Sequence, residues 1–221
     1  MKPSRVRIAV GGGAEVTGAL AGPPDGAPFA ISLAHGAGGD MDAPLLVAVA
    51  GALAERGYLT LRWNFLYKER GKSAPDPAAV LERTTRAVAA WLRPRARRLA
   101  LGGKSMGGRY ASIAASKGLA CDALVFLGYP LHPAGRPEQL RDAHLPAVAA
   151  PMLFVQGTRD PLCRLELLRP VLARLGPRAR LYVVEGGDHG LDVLKSLGRT
   201  KASVVDEVAG EIDRFLVDVR G

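Results

Sequence analysis

Two cysteines in 221 residues, Cys121 and Cys163, are too few and too far apart for a disulfide framework or a cysteine-built metal site. Reduced thiols in a cytoplasmic protein are the expectation. Aromatic residues make up only 5% of the chain, so a core fed by its 48% hydrophobic content must be filled mostly by Ala, Val and Leu. No apolar run approaches the roughly 20 residues of a membrane-spanning helix. The basic start Met1-Lys2-Pro3-Ser4-Arg5 meets Gly11-Gly12-Gly13 before any stretch suited to export. Histidine is scarce as well: there are four, at 35, 132, 144 and 189. No spacing of ligand-type residues suggests a metal, and no cofactor is expected.

Acidic residues are outnumbered, 21 against 30 basic ones, for a formal charge of +9. Such an excess can serve an acidic partner through long-range attraction. Here the basic residues are mostly arginines scattered along the chain, and only Arg93-Pro94-Arg95-Ala96-Arg97-Arg98 is dense. That cluster has no interleaved aromatics and reads as a solvated loop, so neither nucleic acid nor a membrane is expected as a partner.

The remaining pattern is an alternation of strands and helices. Residues 5 to 10 and 16 to 20 alternate as an antiparallel edge hairpin across a glycine-rich turn. A continuous apolar strand covers 29 to 34. Asp42 is placed to cap a helix with Pro44 in its first turn and an inner face at Leu45, Val49, Ala52 and Leu53, stopped by Gly57. A strand over 58 to 63 precedes a helix opened by Asp76-Pro77, carrying Val80, Thr84, Ala87, Val88 and Trp91 and ended by Pro94. Apolar runs at 99 to 101, 123 to 127, 152 to 156 and 181 to 184 are the later strands, with helices over 106 to 117 and 164 to 175. A last helix presents Val204, Val205, Val208, Ile212, Phe215 and Leu216 on one face. The expected fold class is α/β, a single domain over 1–221 whose mainly parallel central sheet is covered by helices on both faces. The connection from 128 to 150 is too short for a substantial lid.

Gly103-Lys104-Ser105-Met106-Gly107 follows one of those strands and opens a helix, which is the form of a nucleophile elbow. The turn is so tight that small residues are required two before and two after the serine. A phosphate-binding loop is excluded, because it needs a glycine five positions ahead of Gly103, where Arg98 stands. A serine placed this way needs an acid and then a histidine later in the chain. Asp160 lies in a loop just past the strand at 152 to 156, and His189, the only histidine beyond it, lies in the glycine-rich loop after the next strand. In such a triad His189 takes the Ser105 proton and returns it to the leaving group, while Asp160 orients the imidazole. Oxyanion donors are expected from the backbone N–H groups of Met106 and of Ala37 in the His35-Gly36-Ala37-Gly38-Gly39 loop. His35, Gly36, Tyr129 and His132 are candidates for the substrate pocket. His35 also reads as a support for the oxyanion loop, and Tyr129 and His132 equally as packing. Lys104, Arg109, Asn64 and Tyr67 read as structural or surface contacts, and Asp188 and Asp192 as solvated carboxylates.

The order Ser105, Asp160, His189 with the His35 to Gly39 loop resembles the α/β-hydrolase superfamily over nearly the whole chain. The stretches Trp63-Asn64-Phe65, Gly102 to Arg109 and Gly128-Tyr129-Pro130-Leu131-His132-Pro133 resemble its small lidless branch, which includes dienelactone hydrolases and testis-expressed hydrolase-like proteins. Dienelactone hydrolases proper carry cysteine at the nucleophile, and this chain carries Ser105. The resemblance implies an α/β-hydrolase fold. The expected function is a serine hydrolase that cleaves a small or medium carboxylic ester or related acyl bond through an acyl-enzyme intermediate. The alternative is a catalytically silent interaction domain on the same fold. Substrate identity and oligomeric state are not encoded in any motif found.

Overall fold

The computed structural model describes residues 2–220; Met1 and Gly221, the ends of the expected 1–221 domain, lie outside the described residues. The chain opens on an antiparallel hairpin, β1 (Ser4–Ala9) and β2 (Glu15–Ala21), turned at Gly11-Gly12-Gly13, where all three residues take positive φ. From there the chain alternates. The elements are β3 (Phe29–Ala34), α1 (Pro44–Glu55), β4 (Leu59–Trp63), a short α2 (Leu66–Glu69), α3 (Ala78–Leu92), β5 (Arg98–Lys104), α4 (Met106–Ser116), β6 (Ala123–Leu127), β7 (Met152–Gly157), α5 (Leu165–Leu175), β8 (Ala179–Val184) and α6 (Lys201–Arg220). Among the described residues these strands form one eight-stranded sheet in the order β1-β2-β4-β3-β5-β6-β7-β8. β3 to β8 run parallel, and β2 closes antiparallel on β4.

Parallel strands buried on both faces read as unbroken apolar runs rather than alternations, and β3, β6 and β7 are buried throughout. Each face has its own core. On one, Leu61, Trp63, Leu101, Phe126 and Phe154 meet α3, α4 and α5 through residues such as Leu81, Val88, Ala111 and Val171. On the other, Ile31, Leu33, Val125, Leu127 and Val155 meet α1 and α6 through Leu46, Leu53, Val208 and Ile212. The sheet is therefore covered on both sides. Between β6 and β7, residues 128 to 150 hold a single turn of 3-10 helix (Leu145–Ala147) and build no lid.

Two local expectations are corrected. The inner face of α1 is broader than expected: Leu46, Val49, Ala50, Leu53 and Ala54 are buried, and Leu45 and Ala52 are half-buried against the same core. Asp42 does not cap α1, whose N-cap position is Ala43 with no side-chain bond. Its carboxylate instead accepts from Arg5 at 2.8 Å and Arg62 at 2.9 Å, which tie the hairpin and β4 to the loop before α1. The arginine cluster is also less solvated than expected: Arg95 lies over the Trp91 ring at 3.4 Å, Arg93 pairs with Asp122, and Arg98 donates to the Val219 and Arg220 carbonyls.

Candidate active site

β5 and α4 meet at Ser105, whose backbone at φ 50° and ψ −117° lies where an L residue costs about 1–3 kcal/mol. The strain is held on both sides. The Ser105 N–H donates to the Leu127 carbonyl at the end of β6, and its own carbonyl accepts from the Arg109 N–H in α4. The flanking glycines are required by contact: a Cβ on Gly103 would lie 2.1 Å from the Ala34 oxygen, and one on Gly107 would lie 2.4 Å from the same atom. Ala34 is the last residue of β3, so the elbow rests directly on the neighbouring strand.

Asp160 and His189 come together as their chain order requires. The carboxylate Oδ2 and the imidazole Nδ1 are 2.7 Å apart, with the aspartate side chain fully buried and the histidine 21% exposed. Asp160 has two further donors, the Leu162 N–H at 2.8 Å to Oδ1 and the Gln156 amide to Oδ2. The same Gln156 accepts the Tyr129 N–H through Oε1 at 2.9 Å. Sequence reasoning missed Gln156; the signal available was a polar residue ending the apolar run of β7, four positions before the acid. The serine and the histidine share a support at the end of β6. Leu127 takes the Ser105 N–H, and next to it Gly128 is so close that a Cβ there would stand 2.8 Å from the His189 carbonyl and 3.4 Å from its Nδ1.

The 35–39 loop faces the serine from the other side. A Cβ on Gly36 would lie 3.4 Å from Ser105 Cβ, so this glycine packs directly on the serine. Among the described residues, the N–H groups of Ala37 and Met106 donate to no protein acceptor, which leaves both free for an oxyanion. His35, expected at the pocket, is fully buried and lines nothing open. Its Nε2 accepts the Phe65 N–H at 3.1 Å, so Nδ1 carries the proton and donates to the Gly36 carbonyl at 2.7 Å. Tyr67 donates its hydroxyl to the Ala37 carbonyl, and Asn64 accepts from the Met41 N–H. These residues fasten the loop to the segment after β4.

Tyr129 and His132 are corrected in the same way. Tyr129 is fully buried, packed against Phe126 and Phe154, and its hydroxyl donates to the Arg141 carbonyl. His132 is 1% exposed and joins the 128–150 connection to the start of α5, accepting the Arg164 N–H through Nε2. Both shape the connection from within and neither borders open space. Asp188 is half-buried, and its Oδ1 accepts the N–H groups of Gly190 and Asp192 and so folds the histidine loop on itself.

Burial also holds His35 below the ordinary histidine pKa, against the opposing pull of its bond to Gly36. His144, bonded to Ser112 at 2.8 Å, is pushed down to about 4 by burial and by Arg109. A folded-state pKa below the unfolded value of about 6.5 means that the unfolded chain takes up protons first as pH falls. The stability these histidines support is complete above about pH 6.5 and is lost in acid. Thermal unfolding is expected to shift to lower temperature between pH 7.5 and pH 5, with a smaller shift in His144→Gln. An identical acid shift in that variant would contradict the assignment for His144.

Among the described residues no cluster of three or more His, Cys, Asp or Glu could hold a metal, and no helix is long and apolar enough to cross a membrane. A family model described as an alpha/beta hydrolase domain matches residues 28–217. Solved structures share the fold over the whole chain. A dienelactone hydrolase from Anabaena variabilis is 23% identical, covering 99% of both chains with a TM-score of 0.77. A Xanthomonas campestris protein described as an a/b serine hydrolase without a lid is 21% identical over 97% of this chain and 95% of its own, with a TM-score of 0.72. An esterase from Pyrococcus furiosus is 17% identical over 100% of this chain and 91% of its own, with a TM-score of 0.76.

Proposed function

Because the chain belongs to the alpha/beta hydrolase domain family and carries that hydrolase fold, we propose that it is a serine hydrolase of small or medium carboxylic esters or related acyl bonds. The observation that carries this reading is the buried Asp160 carboxylate bonded to His189 Nδ1 at 2.7 Å, with the serine of the strained elbow tied to the same end of β6 that His189 packs against. In the neutral tautomer that donates from Nδ1 to the carboxylate, Nε2 carries the lone pair that serves as base. It takes the proton as Ser105 Oγ bonds to the acyl carbon, and the carbonyl electron pair moves onto oxygen. The N–H groups of Met106 and Ala37 receive that charge; each donor in such a hole is worth roughly 3 kcal/mol of transition-state stabilisation. Collapse of the intermediate breaks the bond to the leaving alcohol, which takes the proton from His189. Water then repeats the sequence in reverse and frees Ser105. Anabaena, Xanthomonas and Pyrococcus proteins of the same fold, described as a dienelactone hydrolase, a serine hydrolase and an esterase, support this reaction class. The absence of a lid between β6 and β7 favours short, soluble acyl groups.

Asp160→Asn keeps the shape and Gln156's contact but removes the charge that orders the imidazole. Its kcat on p-nitrophenyl butyrate is expected to fall roughly 10⁴-fold, the effect of the same change in a serine protease triad. Wild-type kcat in the folded variant would overturn the assignment.

A further inference from the structure

A cleft of about 370 Å³ opens between the first turns of α1 and α6, behind the loops that carry Ser105 and His189. That volume lies within the range of roughly 300–1,000 Å³ typical of small-molecule sites. Its walls are aliphatic: Pro44, Leu45 and Ala48 on one side, Val204 and Val205 on the other, and Leu191 between them. Leu191 is 3% exposed and holds φ 62°, a conformation a branched side chain adopts only when its surroundings force it.

Three charged groups, Lys104, Asp192 and Lys201, break this apolar lining, and Asp192 and Lys201 are paired with each other. Lys104, half-buried beside the nucleophile, has no carboxylate within ion-pair distance and no hydrogen-bond acceptor among the described residues. The acidic groups nearest to it are already engaged. Asp160 is bonded to His189, Gln156 and Leu162, and Asp188 to the N–H groups of its own loop. In the lining itself, Asp192 is neutralised by Lys201 at 2.8 Å. A desolvated ammonium without a partner is costly, and an apolar cleft ending on one is suited to an aliphatic chain ending in an anion. The first turns of α1 and α6 line the cleft, and helix N-terminal turns carry a positive partial charge.

We propose that this cleft binds an aliphatic monocarboxylate, with its chain between α1 and α6 and its carboxylate on the Lys104 ammonium. Neither Ser105 nor His189 is among the residues that line it, and binding there does not depend on catalysis. Because Gly190 and Lys104 line it, an occupant touches the neighbours of both His189 and Ser105.

The test is calorimetric titration of octanoate into the full chain, with octylamine as the opposite-charge control. Octanoate is expected to bind saturably at one site and octylamine not at all. Lys104→Met should weaken octanoate binding roughly 10- to 100-fold, the worth of a hydrogen bond to a charged group. Ala48→Trp fills the cleft from the partly exposed side of α1 and should abolish binding in a protein whose thermal unfolding is intact. Ser105→Ala should bind as wild type does, whether or not Ser105 is a nucleophile, so this result is independent of the proposed reaction. No octanoate binding by wild type, or unchanged binding in Ala48→Trp, would overturn the proposal. If Lys104→Met fails to fold, Ala48→Trp alone decides.

Discussion

Ser105→Ala is expected to lower kcat on p-nitrophenyl butyrate by roughly 10⁴-fold or more while leaving cooperative unfolding in place. Loss of the nucleophile from a serine triad removes the covalent route entirely, and what survives is rate enhancement from the oxyanion donors and binding alone. The fold is unaffected because the side chain holds nothing: Ser105 is tied through its backbone, by its N–H to Leu127 and its carbonyl to Arg109. A second substitution separates chemistry from strain. Ser105→Gly should be equally inactive yet unfold at higher temperature than Ser105→Ala, since φ 50°, ψ −117° costs an L side chain about 1–3 kcal/mol and glycine little. Equal unfolding temperatures would show that the elbow stores no strain. Activity persisting in Ser105→Ala, measured on protein free of contaminating esterase, would remove serine from the reaction.

Gly103→Ala carries the largest expected loss of stability. The added Cβ would meet the Ala34 oxygen at 2.1 Å and the Ala34 nitrogen at 2.5 Å, both of them backbone atoms of a central strand with no room to retreat. Glycine's φ of 138° is also closed to alanine. The two penalties fall on the seam between β3 and β5, so the cost should exceed about 4 kcal/mol and leave little or no folded protein. Gly38→Ala is the control, because a Cβ there meets nothing within 4 Å. Circular dichroism and denaturant unfolding of the pair decide the matter; a Gly103→Ala protein as stable as Gly38→Ala would mean that β3 and the elbow are not in contact as described.

The order of strands and helices was legible because each buried strand is an unbroken apolar run bounded by glycine, proline or charge; β3 and β6 match their expected limits of 29 to 34 and 123 to 127. The site's chain order was legible for a different reason. A strand-to-helix serine demands partners at later strand ends, and only one histidine follows Asp160. What was hidden depends on contacts between distant segments. Asp42 looks like a helix cap until Arg5 and Arg62 arrive from two other strands. Tyr129 and His132 carry polar atoms that suggest a pocket, but Tyr129 donates to the Arg141 carbonyl and His132 accepts the Arg164 N–H, partners that only folding delivers. Gln156 is unremarkable in sequence; its role exists because β6 and β7 lie side by side, placing the Tyr129 N–H and the Asp160 carboxylate at the two ends of one amide.

The central claim is that Ser105 is made nucleophilic by the Asp160–His189 pair. Reaction of the folded chain with a fluorophosphonate, followed by intact-mass and peptide mass spectrometry, addresses it directly, because the reagent needs an activated serine and no knowledge of the substrate. The account predicts one adduct per chain, located on Ser105, slowed sharply in Asp160→Asn and absent in protein unfolded before treatment. A folded chain that stays unmodified, or one modified at another residue with Ser105 untouched, would contradict it.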